Sequence, residues 1–161
     1  MKIAVILGSD SDLKIAEKGL KVLNEFQLDY EVRILSAHRT PAELHEYVES
    51  FPEIGIEAVI AVAGKAAHLP GVIASLTLKP VIGLPIDGGM DGMDALLSIV
   101  QMPKGIPVAT VGVNNAQNAA LLAVHILALK DEKLTEKLKK YREEQRKIVL
   151  EKDKKTREAY R

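Results

Sequence analysis

The sequence predicts an α/β fold: a three-layer, doubly wound parallel sheet of five strands, with an extended helix at the C-terminus. Three observations carry this. Short apolar runs alternate with helix-period segments five times along the chain. The runs Ile3–Leu7 and Ala58–Ala63 are apolar at consecutive positions, the pattern of parallel strands covered on both faces. The first three runs each end in a turn of small and polar residues that opens directly into a helix start.

Taken in order, Ile3–Leu7 is the first strand and ends at Gly8. A helix capped by Asp12 or a neighbour follows to about Phe26, its apolar face made by Leu13, Ile15, Ala16, Leu20, Val22 and Leu23. Tyr30–Leu35 alternates and is rich in β-formers, so it is the second strand. Thr40 then has an N-cap side chain, Pro41 suits the first helical position and Glu43 completes a capping box. That helix runs to Phe51, and Pro52–Gly55 breaks it. Ala58–Ala63 is the third strand and Leu69–Leu78 a short helix. Pro80–Leu84 is the fourth strand. The glycine-rich loop Asp87–Asp94 leads into a helix through Leu96, Leu97, Ile99 and Val100, which Pro103 and Gly105 end. Pro107–Gly112 is the fifth strand. The order 2-1-3-4-5 is expected, flavodoxin-like in outline, with right-handed crossovers.

Asn118–Leu129 is an alanine-rich helix, apolar almost all round. One small sheet does not cover such a helix, so subunit contact is the expected remedy. Composition changes after residue 130. Residues 131–161 are rich in Lys, Glu and Arg, with sparse Leu134, Leu138, Tyr141, Ile148, Val149 and Leu150. The expectation is a flavodoxin-like domain over 1–130 and a charged helical extension over 131–161 that packs on a neighbouring subunit.

Several function classes are excluded. The 22 basic residues balance 22 acidic ones, without the basic excess of a nucleic-acid binder. With no cysteine there is no thiolate nucleophile or thiolate metal site. The N-terminal apolar run is too short to span a membrane and lacks a cleavage signal, so a cytoplasmic protein is the default. The acids of Asp87–Asp94 lack EF-hand spacing, and His45–Glu49 ends in Glu where a zinc-binding helix needs a second His. There is no GxGxxG, no P-loop and no Gly-x-Ser-x-Gly elbow. His125 reads as a satisfied core or interface histidine.

Three loops gather at the carboxyl edge of the predicted sheet, where open α/β sheets bind ligands. Gly8–Asp12 brings Ser9, Ser11 and Asp12, which either cradle an anion or only cap a helix. Ser36–Pro41 brings Ser36, His38 and Arg39: an imidazole beside a guanidinium, suited to moving a proton on an anionic substrate. Gly64–Leu69 brings Gly64, Ala66, Ala67, His68 and Leu69, small enough for a flat ligand to lie against backbone. His68 is either catalytic or structural. The set fits proton chemistry on a small phosphorylated molecule.

Five blocks then carry a resemblance: Gly8–Asp12, Ser36–Pro41, Ala66–Gly71, Ser98–Pro103 and Asn118–Leu122. In order and spacing they resemble the signatures of the PurE family, the N5-carboxyaminoimidazole ribonucleotide mutases of purine biosynthesis, over about residues 3 to 129. The resemblance implies a flavodoxin-like fold, a homo-octamer with active sites at subunit interfaces, and no metal, nucleotide or organic cofactor. It implies transfer of a carboxylate from the exocyclic nitrogen of an aminoimidazole ribonucleotide to ring carbon C4, by decarboxylation and recarboxylation. By motif, His38 is the general acid/base. Ser9, Ser11 and Arg39 hold the phosphate and Asp12 the ribose. Ser36 lines the pocket beside His38, and Gly64, Ala66, Ala67, His68 and Leu69 line the base and carboxylate end. Arg39 and the Ala67–Pro70 block resemble the mutase class, not the class that carboxylates the aminoimidazole directly. Two features depart from the family: Lys65 stands where a second glycine is common, and the 87–92 and 112–117 segments look short.

Overall fold

The computed structural model describes residues 1–161. A five-stranded parallel sheet has the order β2-β1-β3-β4-β5. Its strands are β1 (Lys2–Leu7), β2 (Asp29–Ile34), β3 (Ile56–Gly64), β4 (Val81–Ile86) and β5 (Ala109–Thr110). The helices are α1 (Leu13–Glu25), α2 (Pro41–Glu49), α3 (Phe51–Ile54), α4 (Leu69–Leu76), α5 (Met93–Val100), α6 (Ala116–Ala128) and α7 (Glu132–Ala159). No helix is long and apolar enough to cross a membrane.

The apolar runs become the middle of the sheet. Every side chain from Ile3 to Leu7, and from Ala58 to Ala63, is buried. The pleat sends alternate residues to opposite faces, and two cores result. One packs Ile3, Val5, Leu7, Ile60 and Val62 against α1, α6 and α7. The other packs Ala4, Ile6, Val59 and Ala61 against α2, α3, α4 and α5. This is the expected three-layer, doubly wound architecture.

Several local expectations are corrected. Asp12 precedes α1 but makes no side-chain cap. The capping hydroxyl is that of Ser9, which accepts from Ser11 N at the start of a 3₁₀ turn over Asp10–Asp12. Thr40 forms no capping box: its Oγ1 accepts from Ser36 N (2.8 Å) and lies 3.2 Å from Ser36 O, to which it donates. The hydroxyl is spent closing the β2–α2 loop instead of starting the helix. Pro52 does not break structure but sits in the first turn of α3, where it is tolerated, and Gly55 ends α3 in the left-handed region. Helix α6 starts at Ala116, earlier than expected, because Asn115 Oδ1 accepts from Asn118 N.

The fifth strand is much shorter than the expected Pro107–Gly112 run, with two paired positions, Ile82 with Ala109 and Gly83 with Thr110. Prolines explain both limits. Pro107 has no N–H to enter the ladder. Beyond Thr110, Val111 N donates to Gly83 O (3.2 Å), but the next bond of a parallel ladder needs the N–H that Pro85 lacks.

Within one chain α6 is covered in part, as its sequence implies for a helix that one sheet does not enclose: Ala119, Ala120, Ala123 and Val124 are fully covered, while Leu121, Leu122 and Ile126 are half-buried and Leu129 is exposed. Part of its cover comes from this chain's own α7. Leu134 and Leu138 join the larger core, and the Tyr141 ring lies 5.7 Å from that of Phe26. Lys137 Nζ donates to Phe26 O (2.9 Å) and Gln27 Oε1 (2.7 Å). The first turns of α7 therefore pack into the core of their own chain.

Helices α1 and α6 approach closely at Gly19, where an added Cβ would stand 2.6 Å from Ala116 O. Gly19→Ala must push the two helices apart, which costs about 1–3 kcal/mol for an overpacked core. A lower urea midpoint with an unchanged slope is the expected result; an unshifted midpoint would mean that the pair yields freely.

Candidate active site

A cleft of about 750 Å³ opens at the carboxyl ends of β1, β2, β3 and β4. All eleven residues singled out from the sequence line it: Ser9, Ser11, Asp12, Ser36, His38, Arg39, Gly64, Ala66, Ala67, His68 and Leu69. The glycine-rich loop after β4 adds Asp87 and Gly88 as a fourth wall. The signal for it was available, because in a parallel sheet the end of strand four must open on the same edge.

Ser36 organises the second loop. Its Oγ accepts from His38 N (3.3 Å) and Arg39 N (3.2 Å), while Thr40 holds its backbone. The loop thus presents two consecutive side chains, and Arg39 reaches across to donate from Nη2 to Gly8 O (3.0 Å). That bond ties the second loop to the first.

His38 Nε2 and His68 Nδ1 lie 2.7 Å apart, with the rings edge-on at 79°. At this distance one nitrogen carries the proton and the other offers its lone pair, so the tautomers of the two rings are linked. The sequence left His68 open between catalytic and structural roles; the structure places it directly on His38. Its loop is built for this. Ala67 N donates to Lys65 O and His68 N to Ala66 O, each at 2.8 Å, giving two successive tight turns. Gly64 allows the close approach of β4, since an added Cβ would lie 3.2 Å from Ile86 O.

In the first loop, Ser11 Oγ lies 2.9 Å from Ser9 Oγ and 3.0 Å from Asp12 Oδ1. Its single proton serves one at a time. Burial pushes the Asp12 carboxyl above the usual range; the Ser11 hydrogen bond opposes this, and the Asp10 charge adds to it. Asp12 is therefore held in the cleft at a cost, free of any capping duty.

Two other histidines lie elsewhere. His45 pairs with Glu49 (2.9 Å) on the exposed face of α2. His125 Nδ1 lies 2.7 Å from Leu121 O and its Nε2 3.1 Å from Arg142 Nη2, so Nδ1 donates and Nε2 accepts. Of the five sequence blocks, Ser98–Pro103 and Asn118–Leu122 stand outside the cleft. Met102 packs under α4 at Gly71, and Asn118, Leu121 and Leu122 line a second hollow between α6 and α7.

Fold and cleft together define an α/β protein with a flavodoxin-like sheet and a cleft at its carboxyl edge that gathers two imidazoles, a guanidinium and a hydroxyl-rich turn. The chain belongs to the AIR carboxylase family, which it matches over residues 2–148. It is 59% identical to the N5-carboxyaminoimidazole ribonucleotide mutase of Pyrococcus abyssi, over 89% of this chain and 83% of that one. It is 55% identical to the protein of the same name from Methanocaldococcus jannaschii, over 99% of each. The crystal structure of Treponema denticola PurE superposes with a TM-score of 0.88 at 30% identity, covering 96% of this chain and 97% of that one.

The raised Asp12 carboxyl sets a pH signature. A carboxyl whose folded pKa is raised favours the folded state while protonated and loses that advantage as pH rises through the folded value. Asp12→Asn keeps the acceptor for Ser11 but removes the charge. It is expected to match the wild type near the ordinary aspartate pKa of about 4 and to become the more stable protein by pH 7. Chemical denaturation at several pH values reads this; a gap independent of pH would trace the effect to packing.

Proposed function

We propose that this chain is an N5-carboxyaminoimidazole ribonucleotide mutase, an isomerase of purine biosynthesis. The observation that carries the reading is the His38–His68 contact on the wall of a cleft that also holds Arg39 and the Ser9–Asp12 turn. Arg39, Ser9 and Ser11 take the phosphate of the ribonucleotide, with the guanidinium giving charge-assisted bonds. Asp12 takes the ribose hydroxyls. The small residues Gly64, Ala66 and Ala67, with Leu69, leave a flat slot for the imidazole.

His38 gives its proton to the exocyclic nitrogen as the N–C bond to the carboxylate breaks, releasing CO2 and the aminoimidazole. Ring carbon C4 then attacks the CO2 carbon, and His38 takes back the C4 proton. The proton inventory closes on one imidazole, so the chemistry asks for no metal, nucleotide or organic cofactor. His68 holds the His38 ring and its tautomer between the two transfers. CO2 must stay between the steps, which the apolar backing of Ala63, Ile86 and Leu69 favours.

The reading includes a homo-octamer with sites at subunit interfaces. Two observations support assembly. The Ser98–Pro103 and Asn118–Leu122 blocks lie outside the cleft of their own chain. Met93, Leu97 and Val100 on α5, with Ile148, Val149 and Leu150 on α7, leave apolar side chains exposed. α7 beyond Arg142 is exposed throughout, available to a neighbouring copy. A cytoplasmic location follows from a phosphorylated substrate that does not cross membranes unaided.

The test is to mix the purified protein with N5-carboxyaminoimidazole ribonucleotide, without ATP or added bicarbonate, and to follow the C4-carboxylated product. Rapid formation is expected. Product only from aminoimidazole ribonucleotide plus bicarbonate would make the chain a direct carboxylase. His38→Asn should lower kcat by about 10²–10⁴, the range of a lost general acid/base, with the fold intact by circular dichroism. Wild-type turnover in that variant would remove His38 from the chemistry.

A further inference from the structure

The cleft holds two cations, and the proposed chemistry above uses only one. Arg39 follows β2 and is tied to the β1 loop through Gly8 O. Lys65 follows β3 and lines the opposite end, against the β4 loop. β1 lies between β2 and β3 in the sheet, so the two strand ends stand about 10 Å apart, two strand spacings.

Lys65 is held in an unusual way. Its φ is +57°, in the left-handed region, where a long L side chain is strained and glycine is not. Its stem lies along Gly88: a Cβ added there would meet Lys65 Cγ at 3.3 Å and Cε at 3.7 Å. The amine makes no ion pair with any carboxylate of the chain. The neighbouring Asp87 is engaged with its own loop, its Oδ1 accepting from Gly89 N (3.2 Å). A strained backbone thus carries an unneutralised cation to the rim of a cleft, on a stem that a glycine makes room for. Strain of this kind points to what the side chain does.

We propose that Lys65 binds the second anion of the substrate, the carboxylate, while Arg39 binds the phosphate at the other end. Lys65 is then the residue that separates the carboxylated ribonucleotide from its decarboxylated counterpart. This rests on the mutase reading.

The experiment measures Kd and KM for N5-carboxyaminoimidazole ribonucleotide, and Kd for aminoimidazole ribonucleotide, in the wild type, Lys65→Gln, Lys65→Gly and Lys65→Arg, with thermal unfolding of each. Lys65→Gln and Lys65→Gly should bind the carboxylated compound at least tenfold more weakly and the decarboxylated one within twofold of wild type. Lys65→Arg should recover most of the difference. Lys65→Gly should unfold no earlier than wild type, because glycine relieves the left-handed strain; a purely structural lysine would show a lower midpoint without discrimination between ligands. Equal weakening for both ligands, or none for either, overturns the role of Lys65 while leaving the mutase reading intact. A wild-type chain that binds neither ribonucleotide overturns the mutase reading, and the role of Lys65 falls with it.

Discussion

β1 and β3 pair with each other at the centre of the sheet, and every side chain from Ile3 to Leu7 and from Ala58 to Ala63 is buried. Their peptide groups have no solvent to turn to, so each N–H and C=O is committed to a neighbouring strand. Slipping either strand by one residue would exchange the two cores, sending side chains fitted to α1 and α6 against α2 and α4. The register is therefore stiff, and it ends with Leu7 beside Val62. Everything at the cleft hangs from that point. Gly8 and Gly64 leave the sheet side by side, the Gly8 carbonyl is offered to Arg39, and the β3 loop brings His68 to His38.

The cleft spends stability that the sheet supplies. Asp12 is partly buried without a cationic partner, Lys65 sits in a strained backbone, and two imidazoles share one proton at 2.7 Å. The first two work against folding. Each sits on a turn held at both ends by buried strands, so the local cost does not loosen the loop. Ser36 and Thr40 show how few bonds are needed: two hydroxyls fix the path of the chain from β2 to α2 and so the direction of His38 and Arg39.

What the sequence revealed depended on the range of the interaction. The central strands were plain because burial on both faces demands apolar residues at every position. The three loops followed from strand ends and helix starts; the choice of the eleven residues within them also drew on the five-block resemblance. The errors arose where two local partners compete. Thr40 has a capping side chain, yet it bonds back to Ser36; before α1, where Asp12 or a neighbour was expected to cap, the choice between them falls on Ser9. The length of β5 was hidden because Pro85, on a different strand, decides it. The His38–His68 contact joins residues thirty apart, and only the paired loops bring them together.

The two margins of the sheet differ from its centre. β2 carries Asp29, Glu31 and Arg33, with Glu31 held 2.7 Å from Lys2 and 3.6 Å from Arg33. β5 offers a ladder of two pairs, closed by proline on either side. Neither margin is a template for a foreign strand, since charge guards one and brevity the other. Two copies of this protein cannot merge their sheets into a continuous one. The strand-by-strand growth that feeds fibrous aggregates has no place to start on the folded chain.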